Sequence, residues 1–166
     1  MLEEDEIKCK VFITLQQEKE LSTTHSQVEL GSKLKTLLKL FQKGNLEKSE
    51  RQASIIIKKY PKNQFSWNIL GLTLGKLGKI NEALIAHKKA VMLSINDPDS
   101  YINLGNTYKE LGNLKGAEKN YRVVIDLKPD YAQAFSNLGN ILYDLGKCTY
   151  NFFLQFYEHL RVFQLF

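Results

Sequence analysis

Cysteine, arginine and long apolar runs are what this 166-residue sequence has least of. Its two cysteines, Cys9 and Cys148, stand far apart with no CxxC spacing. Neither a disulfide framework nor a zinc site is indicated, and both are expected as free thiols. No uninterrupted stretch of about 18 apolar residues occurs, the length a membrane-crossing helix requires. The opening residues, MLEEDEIKCK, are acidic where a secretory leader would be basic, so the chain is expected to be cytoplasmic, in cytosol or nucleus. The formal charge of +5 comes from lysine far more than arginine, the pattern of a solvated surface and only a weak pointer to an acidic partner. Catalytic groups are equally sparse. His25, His87 and His159 are isolated, no Gly-rich phosphate loop occurs, and no nucleophile stands with a base. The expectation is a non-enzymatic chain with no cofactor and no metal.

What is present is a period. Gly44, Gly78, Gly112 and Gly146 are spaced by 34 residues, and Gly71, Gly105 and Gly139 keep the same step in another phase. So do Leu70, Leu104 and Leu138; Leu77, Leu111 and Leu145; Leu40, Leu74, Tyr108 and Leu142; and the aromatic series Trp67, Tyr101 and Phe135. Such a period marks stacked units, none of which buries its apolar face alone. Tyr101, Leu104, Tyr108 and Leu111 fall at i, i+3, i+7 and i+10, the stripe of an amphipathic helix. Gly112 is placed to end that helix in the left-handed conformation. A second stripe, from Leu114 through Ala117, Tyr121, Val124, Ile125 and Leu127, stops before Pro129. Each unit therefore reads as two antiparallel helices. Gly71, Gly105 and Gly139 fall inside first helices, where glycine costs roughly 1 kcal/mol against alanine. With Ala83 and Ala117 expected opposite, the reading is of small residues that let two helices approach closely.

Unit length and residue order resemble the tetratricopeptide repeat. The best copy, residues 98–130, has Tyr101, Leu104, Gly105, Tyr108, Ala117, Tyr121 and Pro129 in place. The copy at 64–97 has Trp67, Leu70, Gly71, Leu74, Ala83 and Ala90, but His87 replaces the second-helix aromatic and a packing role is expected for it. Its proline arrives late, as Pro98, where Asp97 and Pro98 suit the N-cap and first position of the next helix. In the copy at 30–63, Leu40, Gly44 and Pro61 fit, while Lys33 and Ser49 stand where an aromatic and an alanine belong. The resemblance implies an all-α, right-handed superhelical solenoid of antiparallel helix pairs, with about three and a half repeats. The organisation is then 1–25, an N-terminal helix or disordered extension; 26–146, the repeats at about 30–63, 64–97, 98–131 and an incomplete 132–146; and 147–166, an irregular apolar segment. That last segment reads either as a capping helix or as the mark of a truncation.

In a stack of this kind the first helices line the concave surface. On a helical wheel Asn103, Asn106 and Glu110 lie together, and Asn137, Asn140 and Asp144 occupy the same places one unit later. Asparagine is a mediocre helix former, yet its carboxamide offers both donors and an acceptor, as a peptide backbone requires. The "NLGN" pairs resemble the asparagine ladder in the repeat domain of protein O-linked N-acetylglucosamine transferases and related bacterial repeat proteins. That resemblance implies that Asn103, Asn106, Asn137 and Asn140 hold a peptide backbone, with Asn68, Glu110 and Asp144 in the same groove. Ile69 and Leu72 take the ladder positions in the preceding unit, with Asn68 one residue off, so only two full rungs exist. The other reading is of inherited consensus residues on a solvated face. A carboxylate clamp would draw on Lys35 and Lys76, without a complete basic set. Lys58–Lys59 and Lys88–Lys89 fall on second helices, the outer face, so neither nucleic acid nor membrane is expected as a partner. The expected function is a protein-interaction scaffold that captures an extended peptide or partner helix, with self-association through 147–166 as a further possibility. The alternative is a non-catalytic N-terminal repeat fragment of a larger glycosyl-, sulfo- or methyltransferase.

Overall fold

A computed structural model of the protein describes residues 26–146, and the regular structure among them is helical throughout. Helix α1 covers residues 26–42. It is followed by α2 (Leu46–Lys59), α3 (Gln64–Lys76), α4 (Ile80–Leu93), α5 (Pro98–Glu110), α6 (Leu114–Leu127) and α7 (Ala132–Asp144). The expectations for 1–25 and 147–166 fall outside the described residues.

The turns follow from glycine. Gly44, Gly78 and Gly112 join the hairpins α1–α2, α3–α4 and α5–α6 with φ of +73°, +74° and +71°, and Gly146 ends α7 at +65°. The next residue closes each turn by donating back into the first helix: Asn45 to Leu40, Lys79 to Leu74 and Asn113 to Tyr108, at 2.9–3.0 Å. These bonds satisfy carbonyls that a helix end leaves bare.

Helix starts are fixed by short polar side chains. At α5, Asp97 Oδ2 accepts from the Ser100 backbone N–H (3.2 Å) and from Ser100 Oγ (2.6 Å), with Pro98 in the first turn. Asn63 holds Ser66 in the same way at α3. Gln64 of α3 also donates to Asp97, so this cap ties two repeats together. Asp97→Ala is expected to lower stability by about 1–2 kcal/mol, the upper part of the range for a lost cap. A shift of the urea midpoint at unchanged slope would show it, and an unmoved midpoint would contradict it.

Packing is two-sided. α4 lies against α3 of its own hairpin and α5 of the next, α6 against α5 and α7, and α2 also covers α3. For this reason the stripe of Tyr101, Leu104, Tyr108 and Leu111 is not the buried face of α5. The buried residues are Ser100, Ile102, Leu104, Gly105 and Thr107, while Tyr101 and Tyr108 are half-buried and Leu111 is exposed. The mid-helix glycines also have different neighbours from those expected. A Cβ on Gly105 would meet the Tyr121 ring at 2.5 Å, and one on Gly71 would run into the His87 ring. Ala83 and Ala117 lie one turn earlier on the second helices. In the first unit the same two registers hold Leu37 and Ala53, both fully buried in one cluster. The irregular Ser49 is also accounted for: its Oγ lies 3.0 Å from Thr73 Oγ1, whose proton goes to the Ile69 carbonyl at 2.6 Å, so Ser49 is the donor.

Candidate functional site

Two adjacent first helices carry the asparagine positions. Asn103, Asn106 and Glu110 stand on α5, and Asn137, Asn140 and Asp144 on α7. Asn103, Asn106 and Asn137 are half-buried; Glu110, Asn140 and Asp144 are exposed. Asn137 Nδ2 donates to Asn106 Oδ1 at 3.3 Å, which brings the two sets side by side. From beneath, the Tyr121 hydroxyl donates to the same oxygen at 2.8 Å. Burial, aided by the negative charge of Glu110, pushes the Tyr121 pKa up to about 12, so the hydroxyl remains a donor at physiological pH. Both lone pairs of Asn106 Oδ1 are thereby occupied. What the pair leaves is the amide group Asn106 Nδ2, the second N–H of Asn137 Nδ2 and the acceptor Asn137 Oδ1. Among the described residues the side chains of Asn103, Glu110, Asn140 and Asp144 take part in no hydrogen bond or ion pair.

Asn68 is placed differently. It shares its register with the buried Ile102, and is itself only 9% exposed. Its Nδ2 donates to Ser100 Oγ at 2.7 Å across the α3–α5 contact, and its Oδ1 is buried without a partner. It is a packing residue between repeats and does not extend the row of free amides. Lys35 and Lys76 are not brought together as a clamp either: Lys35 is exposed on α1, and Lys76 lies 5.1 Å over the Phe41 ring.

His87 is 2% exposed and fills a ring position, as its sequence register implies. Its Nδ1 lies 2.8 Å from Thr107 Oγ1. The Thr107 hydroxyl proton is already given to the Asn103 carbonyl at 2.9 Å, so the imidazole donates from Nδ1. Its Nε2 then carries a buried lone pair with no hydrogen-bond partner. Burial drives the His87 pKa down to about 4, with the Asn68 backbone opposing the shift.

By its spacing Tyr121 belongs to the core stripe, and that stripe does not disclose that its hydroxyl orients Asn106. A signal exists nonetheless: Tyr121 appears in the unit that has Asn106, whereas the preceding unit pairs His87 with Leu72. Among the described residues no group of three or more His, Cys, Asp or Glu is placed to hold a metal ion. None of their helices is long and apolar enough to cross a membrane.

Comparison with known proteins agrees with this architecture. Residues 66–94 match the family described as tetratricopeptide repeat, and residues 105–146 the one described as TPR repeat. Over 126 residues, 74% of this chain, the sequence is 30% identical to the human protein O-mannosyl-transferase TMTC1, but the match spans only 14% of that protein. The structure superposes on an O-GlcNAc transferase mutant of Thermobaculum terrenum with a TM-score of 0.64 and 26% identity, covering 68% of this chain and 22% of that one. It also superposes on the first TPR domain of Spaghetti (RPAP3), bound to the HSP90 peptide SRMEEVD, with a TM-score of 0.68 and 21% identity, covering 70% and 93%. With its 34-residue helical hairpins, glycine-closed turns and two family matches, the helical array of this chain is built of tetratricopeptide repeats.

Proposed function

We propose that this chain is a protein-interaction module that holds an extended peptide on the face formed by α5 and α7. The observation that carries the reading is the Asn106–Asn137 hydrogen bond, with Tyr121 beneath it. It fixes amide donors and an amide acceptor side by side, the complement of the C=O and N–H of a peptide. Asn103 and Asn140 flank the pair with uncommitted amides. Such a face reads backbone and leaves side-chain selection to its neighbours. The Spaghetti structure, with its bound peptide, is in keeping with this use of the fold.

Asn103→Ala combined with Asn137→Ala is expected to weaken a peptide ligand about five- to tenfold, the equivalent of one or two lost hydrogen bonds. Helical circular dichroism should not change, because neither side chain fills the core. Ligands selected from a display library of unstructured peptides provide the affinity measurement. Equal binding by the double variant would remove the amide row from the mechanism.

A second reading is favoured by the match to TMTC1, of which this chain corresponds to 14%. In that reading the repeats are the non-catalytic recognition part of a larger transferase, and the peptide held is its acceptor. Sequencing the full-length transcript tests it: a frame continuous with a transferase domain supports this reading, and a stop at Phe166 removes it.

A further inference from the structure

The first-helix face changes character between α3 and α5. At the register of Asn106, the four first helices carry Leu38, Leu72, Asn106 and Asn140. At the register of Glu110 they carry Gln42, Lys76, Glu110 and Asp144. On the α1–α3 side, Leu38 is exposed, and the half-buried Phe41 and Leu72 pack against one apolar cluster. Gly75, one turn beyond Leu72, fronts open space: a Cβ there would meet nothing within 4 Å. On the α5–α7 side, amides replace the leucines and the charge reverses sign. Glu110 and Asp144, like several other carboxylates of the chain, have no cationic partner among the described residues. Two unpaired carboxylates on the face of a chain with formal charge +5 run against its prevailing sign.

We infer that the face takes an extended peptide with an apolar side chain at one end and a lysine or arginine at the other. This rests on the reading that α5 and α7 hold a peptide backbone. The apolar side chain sits over Leu38 and Leu72, beside the Phe41 ring that Lys76 covers, and the cation lies between Glu110 and Asp144. Lys76 repels a cation at the apolar end, so the charge pattern fixes which end goes where. Neighbouring helix axes lie about 10 Å apart, so two spacings correspond to about six extended residues between the two anchors.

The test is fluorescence anisotropy with three labelled peptides of one neutral backbone, each with a leucine at one anchor and lysine, serine or glutamate at the other. The lysine peptide is expected to bind about tenfold more tightly than the glutamate peptide at low salt, a preference that shrinks as salt is added. Glu110→Gln with Asp144→Asn should erase the preference and leave the serine peptide unchanged. Replacing the peptide leucine with serine should weaken all three. If the three peptides bind equally and Asn103→Ala with Asn137→Ala weakens them all, the charge inference falls and the backbone reading stands. A lysine preference that survives in the carboxylate variant, or an affinity indifferent to the leucine, also overturns the inference. If no peptide binds, both readings fall.

Discussion

Gly105→Leu is expected to destabilise the protein by about 1–3 kcal/mol through overpacking, and Tyr121→Ala in the same chain is expected to reverse part of that loss. A Cβ on Gly105 would stand 2.5 Å from the nearest atom of the Tyr121 ring. The ring is fully buried and bonded through its hydroxyl to Asn106, so it has little freedom to retreat. Tyr121→Ala alone should cost about 3–5 kcal/mol, as for other large aromatics removed from a core. Combined, the new leucine enters the space the ring vacates. The first repeat already contains this exchange, with Leu37 and Ala53 in the registers of Gly105 and Tyr121, both fully buried. Chemical denaturation of the wild type, both single variants and the double variant closes a thermodynamic cycle. The double variant should be less destabilised than the sum of the singles by more than about 1 kcal/mol. Strict additivity would mean that the two positions do not share a space. The same cycle at Gly71 and His87 provides an independent repetition.

That exchange also shows what the spacing of residues can and cannot disclose. The 34-residue step exposed the hairpins because each turn needs a residue that tolerates φ near +70°, and glycine recurs there. It did not disclose the buried face of α5, because a stripe read as one-sided assumes a single neighbour. α5 has neighbours on two sides, and so Ile102 and Thr107 are buried while Leu111 is not. Nor did spacing identify which second-helix residue meets Gly105, since register along the chain leaves the choice between Ala117 and Tyr121 one turn apart. For the candidate site, equal spacing grouped Asn103 and Asn106 with Asn137 and Asn140. The contact between the groups is a tertiary fact, carried by the Asn106–Asn137 bond. Asn68 looked like a neighbour of that row because one residue of offset is small in sequence. On a helix it is a rotation of about 100°, which carries the side chain into the contact with α5.

Stability should fall as pH drops from about 6.5 to 4, with His87 as the cause. In the unfolded chain His87 binds a proton near its ordinary value of 6.5, whereas in the fold it is held neutral until about pH 4. Above 6.5 both states are neutral and His87 adds no pH dependence. Below it, only the unfolded state takes up the proton, and each further unit of pH moves the balance toward unfolding until the folded value is passed. The loss over the whole window is on the order of 3 kcal/mol, a large part of the 5–15 kcal/mol typical of a whole domain. The local structure explains why the fold resists the charge. Nδ1–H is already spent on Thr107, and a second proton on Nε2 would put a full charge in a buried site, a desolvation cost that the opposing Asn68 backbone does not outweigh. Glu29, held down to about 2 by its hydrogen bonds to Lys33 and Lys59, acts lower in pH, as its unfolded-state value of 4.5 is crossed. Urea titrations at pH 7 and pH 4.5 separate the two. His87→Phe keeps a ring against Gly71 and strands no donor at Thr107, whose proton goes to the Asn103 carbonyl. This variant should lose most of the pH dependence between those two points. If wild type and variant weaken equally on acidification, His87 is not the buried neutral group, and the ring must instead reach solvent or a carboxylate.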